Sequence, residues 1–306
     1  RNNVIRRCGQ AGIAGQKGAT RSLISGNLIE DTNYRKEFGG WETAAIKFHN
    51  SVDTVISGNL IRGVYHQQQG AFGIWIDFGN QGIRITRNVV YNTQAATLFL
   101  EMNHGPTVVD NNVLIGDATR SNSEATVFAH NLFVDCPYQY HADVNRRSQY
   151  FEPHTTKSAG RKTGTAQDSK WFNNIFVRQG LDRVRTAQGY RSDYNVFLEG
   201  AKKSSFGGDN NVVAADATEL VIEDHPLGVT ITFAVGDTPP GLHGPRVNAE
   251  LVGVFGTVGQ TIEDSHGQPI TIETDINGKR FVRPVPGPLA NLRQGKNTIT
   301  WSMRKR

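Results

Sequence analysis

Asn88-Val89-Val90 and Asn112-Val113-Leu114, 24 residues apart, are two copies of the tripeptide that decides the fold. An asparagine followed by two bulky apolar residues occurs eight times in the first two thirds of the chain. These asparagines are Asn3, Asn27, Asn59, Asn88, Asn112, Asn131, Asn174 and Asn195. The steps between them are 24, 32, 29, 24, 19, 43 and 21 residues. A unit in the low twenties with occasional insertions is typical of a β-solenoid, in which each unit forms one coil.

Identical turns stack in a solenoid, so we expect the repeated asparagines to form an external or turn-lining ladder that bonds to neighbouring backbone. The sequence therefore predicts an all-β protein with a right-handed parallel β-helix as its catalytic domain, residues 1–204. A leucine-rich repeat needs a denser pattern of leucines, and tetratricopeptide or ankyrin repeats need helical periodicity. The sequence has neither, so these repeat classes are not favoured. An irregular β-sandwich with recurrent asparagine turns remains an alternative.

The C-terminal third has a different pattern, because the asparagine repeat stops after about residue 200. The Gly-rich segment 201–215 is interpreted as a linker or capping turn. Alternating apolar stretches with Pro and Gly breaks follow, as in 229–235, 249–254 and 268–274. We predict that residues 205–306 form a β-rich, sandwich-like accessory region packed on the β-helix.

Three segments between the asparagine turns alternate with a period of two: 45–49, 73–77 and 97–101. Their second and fourth residues are apolar and are predicted to point into the core, so the third and fifth residues face outward. Stacking the segments predicts two outward ladders. One contains Lys47, Trp75 and Phe99, and the other contains His49, Asp77 and Glu101.

Asp77 and Glu101 are the candidate catalytic pair, because their separation of 24 residues places them at the same position of adjacent coils. Neighbouring strands lie about 4.8 Å apart, so the two carboxylates should be roughly 5 Å apart. Like charges at that distance raise the pKa of one partner. One acid and one carboxylate at about 5–5.5 Å can cleave a glycosidic bond with retention. Calcium binding, turn support and a solvated surface are the open alternatives for such a pair.

Longer motifs around this pair resemble glycoside hydrolase family 120, whose known members are β-xylosidases on a right-handed parallel β-helix. The central motifs are Trp41-Glu42-Thr43-Ala44-Ala45-Ile46-Lys47-Phe48-His49, Gly73-Ile74-Trp75-Ile76-Asp77-Phe78-Gly79-Asn80-Gln81-Gly82 and Phe99-Leu100-Glu101-Met102-Asn103-His104-Gly105-Pro106. Similar matches continue through Tyr150-Phe151-Glu152-Pro153-His154 to Pro286-Gly287-Pro288. Two features depart from the family pattern: Phe78 begins the segment that is usually W-x-x-Q-G, and the insertion 65–70 is Gln-rich.

The resemblance implies that Asp77 is the nucleophile, that Glu101 is the general acid/base and that Glu42 lines the catalytic site. From the residues, we expect substrate contacts from Trp75, Lys47, His49, Asn103, His104 and His154. The predicted function is a retaining β-xylosidase that acts on xylo-oligosaccharides, without a cofactor or a catalytic metal. A polysaccharide lyase or pectinase-like enzyme and a non-catalytic carbohydrate-binding β-helix are the alternative functions.

Composition limits the other classes of function. The net charge is +5 and the pI is about 9.2, but the basic residues are scattered, so we predict no nucleic-acid partner. No apolar run approaches membrane-spanning length, so we predict no membrane partner. The two cysteines, Cys8 and Cys136, are too few for a disulfide scaffold. For a bacterial protein, cytoplasmic and exported locations both stay open, as does homo-oligomerisation. Because the chain begins inside a repeat and lacks the family's N-terminal part, we expect the natural protein to extend upstream.

Overall fold

The computed structural model describes residues 1–16, 19–186 and 188–303 of the chain. Strands β1 to β17 are Val4–Arg6, Ala11–Gly15, Leu23–Ser25, Leu28–Thr32, Ala44–His49, Val55–Ser57, Leu60–Val64, Phe72–Asp77, Ile83–Thr86, Val89–Thr93, Ala96–Glu101, His104–Asp110, Val113–Ile115, Thr119–Ser121, Glu124–Ala129, Leu132–Val134 and Tyr138–Tyr140. Strands β18 to β27 are Asp143–Phe151, Ser158–Gly164, Ser169–Phe172, Ile175–Val177, Arg191–Asp193, Val196–Leu198, Val212–Ala214, Leu220–His225, Gly228–Val235 and Gly295–Ser302. Two short helices are α1, Thr238–Gly241, and α2, Ala249–Val252.

Three parallel sheets form the wall of a β-helix. The first sheet has the order β1-β4-β7-β10-β13-β16-β21-β23-β24, the second β2-β5-β8-β11-β14-β17 and the third β3-β6-β9-β12-β15-β20-β22. Each strand pairs in parallel with its equivalent in the next coil. Antiparallel pairing occurs only outside this wall among the described residues, in β18–β19, in β25-β26-β27 and in isolated bridges of segment 248–280. The β-helix predicted from the repeat is therefore confirmed, and the sandwich alternative is excluded for these residues.

The repeated asparagines line one turn of every coil and, apart from Asn3 in the first coil, are buried, so the external form of the predicted ladder is wrong and the turn-lining form is right. From Asn27 onward, each side-chain Oδ1 accepts bonds of 2.8 to 3.1 Å from the backbone N and the Nδ2 of the previous asparagine. We call these residues the Asn ladder: Asn3, Asn27, Asn59, Asn88, Asn112, Asn131, Asn174, Asn195 and Asn211. The residue before each of the first eight is left-handed, with φ between 55° and 65°.

Asn211 extends the ladder one coil further than the sequence repeat predicted. Its Oδ1 accepts from the backbone N and Nδ2 of Asn195, and β24 pairs with β23 directly after it. Part of the segment interpreted as a linker is thus a coil of the β-helix. The motif was present as Asn211-Val212-Val213 but followed a step of only 16 residues. The division of the chain at 204/205 remains a prediction.

The two apolar residues after each asparagine face opposite sides of the first sheet. The second one enters the core of the β-helix, where Phe133, Phe176 and Phe197 stack with ring centroids 4.8 and 4.9 Å apart. The first one faces outward and packs against the antiparallel sheet β25-β26-β27. Both positions are bulky because both sides of the sheet are buried. The accessory region therefore covers the first sheet and leaves the second sheet available for a site.

No helix among residues 1–16, 19–186 and 188–303 is long and apolar enough to cross a membrane.

Candidate active site on the second sheet

The register of the second sheet confirms both ladders predicted from the sequence. Lys47 pairs with Trp75 and Trp75 pairs with Phe99, while His49 pairs with Asp77 and Asp77 pairs with Glu101. Asp77 and Glu101 therefore occupy equivalent positions of adjacent coils, whose strands in a parallel sheet lie about 4.8 Å apart.

A cleft of about 450 Å³ opens over these ladders. Its size lies within the range of small-ligand sites. The lining residues are Trp41, Glu42, His49, Trp75, Asp77, Phe78, Phe99, Glu101, Arg120, His141 and Arg146. The cleft therefore combines two paired carboxyl groups, aromatic rings, two arginines and two histidines.

Asp77 is buried and is held by two basic side chains through the same oxygen. Lys47 Nζ lies 3.0 Å and His49 Nε2 lies 2.8 Å from Asp77 Oδ2. The other oxygen, Oδ1, is buried and has no hydrogen-bond partner among the described residues. Because an unpartnered buried carboxylate oxygen is unfavourable, it is a strong candidate for contact with a reacting atom. These two contacts fix the orientation of the Asp77 carboxyl group, and an ionised carboxylate is the form that can act as a nucleophile.

Glu101 has a different environment, although it lies one coil away. The Trp75 indole N–H donates to Oε2 at 3.1 Å, and Arg146 Nη2 lies 2.8 Å from Oε1. Burial raises the pKa of Glu101, and the nearby charge of Asp77 raises it further. The contacts with Arg146 and Trp75 oppose this rise, but the pKa stays above its ordinary value. A carboxyl group with a raised pKa next to an ionised one is suited to donate a proton.

Lys47 joins Glu42 to the Asp77 side of the cleft. Its Nζ lies 2.6 Å from Glu42 Oε2, in addition to its contact with Asp77. Lys47 is almost fully buried, whereas the side chain of Glu42 is 63% exposed at the rim. Glu42 thus touches the cleft, but its direct partner is the lysine and not either carboxylate of the pair.

Trp75, which was expected to contact substrate, lines the cleft but does not offer an open ring face to it. It is only 2% exposed, and Lys47 Nζ lies 3.5 Å from the centroid of its ring. Its indole N–H holds Glu101, so its evident role is to position that carboxyl group. The exposed aromatic side chain of the cleft is Trp41, which is 50% exposed.

Three predicted substrate-binding residues lie away from the cleft. Asn103 is fully buried in a second turn ladder, where its Oδ1 accepts from Asn80 and its Nδ2 donates to the carbonyl of Ile76. Its polar groups are therefore used within the fold. The expectation that Asn103 contacts substrate was based on closeness in sequence to Glu101, but the chain turns into the core directly after that residue.

The two histidines are also used elsewhere. His104 is fully buried, and its ring nitrogens contact Glu124 Oε1 at 3.0 Å and Ser148 Oγ at 2.7 Å. His154 lies between Asp53 and Glu263, at 2.9 and 3.1 Å, where the hairpin β18–β19 meets the C-terminal region. Neither residue is among those that line the cleft.

Sequence reasoning missed Trp41, Phe78, Arg120, His141 and Arg146 as cleft residues. Arg120 could have been found by extending the outward ladder one coil, because it pairs with Phe99. Arg146 belongs to the hairpin β18–β19, inserted within the step of 43 residues between Asn131 and Asn174. The length of that step indicated an additional element, but the residues of the step did not indicate that the hairpin would lie over the cleft.

Residues 1–136 match the family model of the right-handed β-helix region. Together with the parallel sheets, this match confirms the predicted fold class: the chain is a right-handed parallel β-helix with an antiparallel β accessory region.

Among solved structures, the chain is similar to one described as "The complex structure of XylC with xylose". The two share 26% sequence identity with a TM-score of 0.87. The similarity covers 97% of this chain and 50% of that one, so this chain spans about half the length of its relative. No curated protein sequence matches the chain.

Proposed function

We propose that this chain carries the catalytic site of a retaining glycoside hydrolase that releases xylose from xylo-oligosaccharides. The pairing of Asp77 with Glu101 in adjacent coils carries the proposal. Their spacing corresponds to that of retaining glycosidases, about 5–5.5 Å between carboxyl groups. The resemblance of the motifs to glycoside hydrolase family 120 supports the choice of sugar, as does the similarity to a structure that contains xylose.

The environments of the two carboxyl groups support different roles. Asp77 is proposed to attack the anomeric carbon while Glu101 protonates the departing glycosidic oxygen, so that the C–O bond breaks and a glycosyl ester forms. In the second step Glu101, now ionised, removes a proton from water, which attacks the same carbon. The sugar leaves with retained configuration, Asp77 returns to a carboxylate, and Glu101 recovers its proton.

The first test uses a panel of aryl glycosides and xylobiose with the wild-type protein and three variants. We expect hydrolysis of the aryl β-xyloside, and a loss of roughly 10⁴-fold or more in kcat for Asp77→Asn. Glu101→Ala should retain the first step on substrates with good leaving groups, and azide should restore the second step. Glu152→Gln is the matched control, because Glu152 is an exposed carboxylate of the hairpin paired with Lys157.

The stereochemistry and the covalent intermediate test the mechanism itself. A 2-fluoro-xyloside should label Asp77, detected by mass spectrometry of its peptide, and NMR of early product should show the β-anomer. An inverted product would refute the retaining mechanism. An unsaturated product, which absorbs in the ultraviolet, would show that the site performs elimination as a lyase does.

A further inference from the structure

Arg120 is a cation of the cleft for which the described part of the chain provides no acceptor. It is half-buried, it lines the cleft, and it lies one coil beyond Glu101 on the second sheet. Its Nε is buried and has no hydrogen-bond partner in residues 1–16, 19–186 and 188–303. Among the described residues the guanidinium forms no ion pair and no side-chain hydrogen bond, unlike Arg146, which binds both Glu101 and Asp143.

Aromatic rings hold this guanidinium in place. Its central carbon lies 4.8 Å from the ring centroid of Phe99 and 5.8 Å from that of Phe72. Such contacts are attractive, but they leave the five N–H donors of an arginine without acceptors. A partly desolvated cation of this kind is stabilised strongly by an anion that pairs with it.

The carboxyl groups at this end of the cleft are already partnered by the other arginine. Arg146 holds Glu101 through Nη2 at 2.8 Å and Asp143 through Nε at 2.5 Å. Among the described residues, Arg120 is therefore left without an ion pair while Arg146 has two. The charges of both arginines also reach His141, whose pKa is lowered by burial and by these two charges. The Asp77 end, in contrast, has Lys47 between two carboxylates.

We propose that Arg120 determines specificity by binding the carboxylate of a uronic acid unit on the leaving-group side of the scissile bond. The assignment to the leaving-group side rests on the proposed function and follows from the order of the coils. Asp77 attacks the sugar, Glu101 in the next coil protonates the leaving group, and Arg120 lies one coil beyond Glu101. The planar, forked guanidinium suits the two oxygens of a carboxylate. The preferred substrate is thus an acidic oligosaccharide in which xylose is attached to a uronic acid.

Binding of glucuronate and its uncharged isostere glucuronamide, measured by calorimetry, tests the anion site without any turnover. We expect glucuronate to bind at least about tenfold more tightly to the wild-type protein, because a hydrogen bond to a charged group contributes that much. Arg120→Gln should reduce the ratio to about one, and Arg120→Lys should give an intermediate ratio. Arg191→Gln is the matched control, because Arg191 lies over Phe172 at 5.2 Å on the third sheet.

Kinetics test the leaving-group assignment. The β-xylosides of 4-hydroxybenzoate and 4-hydroxybenzamide differ in one charge, and the ratio of their kcat/KM values should fall about tenfold in Arg120→Gln. Comparison of ratios between proteins cancels the difference in leaving-group reactivity. Equal binding of the two sugars by wild type, or an unchanged ratio in Arg120→Gln, overturns the proposal. If glucuronate binds through Arg120 but no xyloside is cleaved, the anion site stands and the proposed hydrolase fails.

Discussion

Replacement of Asn112 by alanine should destabilise the protein far more than loss of a typical hydrogen bond. Asn112 is fully buried in the middle of the Asn ladder. Its Oδ1 accepts from the backbone N and the Nδ2 of Asn88, each within 3.0 Å. Its Nδ2 donates to the carbonyls of Ile85 and Asp110 and to Asn131 Oδ1. One side chain thus connects three coils.

The expected magnitude follows from the groups that lose this partner. In Asn112→Ala the backbone N–H of Asn88 and the carbonyl of Ile85 lose a buried hydrogen bond, and each such group costs about 1–3 kcal/mol. We therefore expect the free energy of unfolding to fall by about 3 kcal/mol or more. Urea unfolding monitored by tryptophan fluorescence measures this change.

Asn3→Ala is the matched control within the same ladder. Asn3 is exposed, and its side chain makes one ladder bond, from Nδ2 to Asn27 Oδ1. Water can replace that bond, so the free energy of unfolding should fall by less than about 1 kcal/mol. If the two variants were equally stable, burial of the ladder would not be the source of its contribution.

Two further predictions concern pH. The first concerns Arg146, which lowers the pKa of Glu101. Arg146→Gln should therefore move the basic limb of the kcat/KM profile, where Glu101 loses its proton, to higher pH. A shift to lower pH would contradict the role of Glu101 as the acid. Burial lowers the pKa of His154, but its bonds to Glu263 and Asp53 raise it above the ordinary value on balance. Its stabilisation is therefore complete below the unfolded pKa and lost as pH rises through the folded one. His154→Gln should cost about 0.5–1 kcal/mol of unfolding free energy at pH 5.5 and nearly nothing at pH 9, and an equal loss at both would refute the ion bridge.

The coils and their register were predictable because their cause is periodic. A residue that repeats once per coil stacks on itself, so the pairing of Asp77 with Glu101 followed from the period and from strand alternation. The orientation of Trp75 was predictable in the same way. Its role was not, because the indole N–H bond to Glu101 and the covering by Lys47 depend on rotamers in a packed layer.

Residues that follow a strand were less predictable. Asn103 comes two residues after Glu101, but it belongs to a second turn ladder with Ser51, Asn80 and Ser123. That ladder mixes Asn with Ser, so it produced no repeated motif that could be detected in the sequence. Contacts between distant segments, such as His154 with Glu263, have no local signal at all.

The Asn ladder closes coils of very different lengths with the same hydrogen bonds. The step from Asn131 to Asn174 is more than twice the step from Asn112 to Asn131, yet both are closed by bonds of 2.9 to 3.0 Å. The additional residues of the longer step form the hairpin β18–β19 outside the three parallel sheets, and Arg146 of this hairpin contacts Glu101. A different hairpin at this position should therefore change the side chains that lie over Asp77 and Glu101, while the coils that hold these two carboxyl groups stay the same.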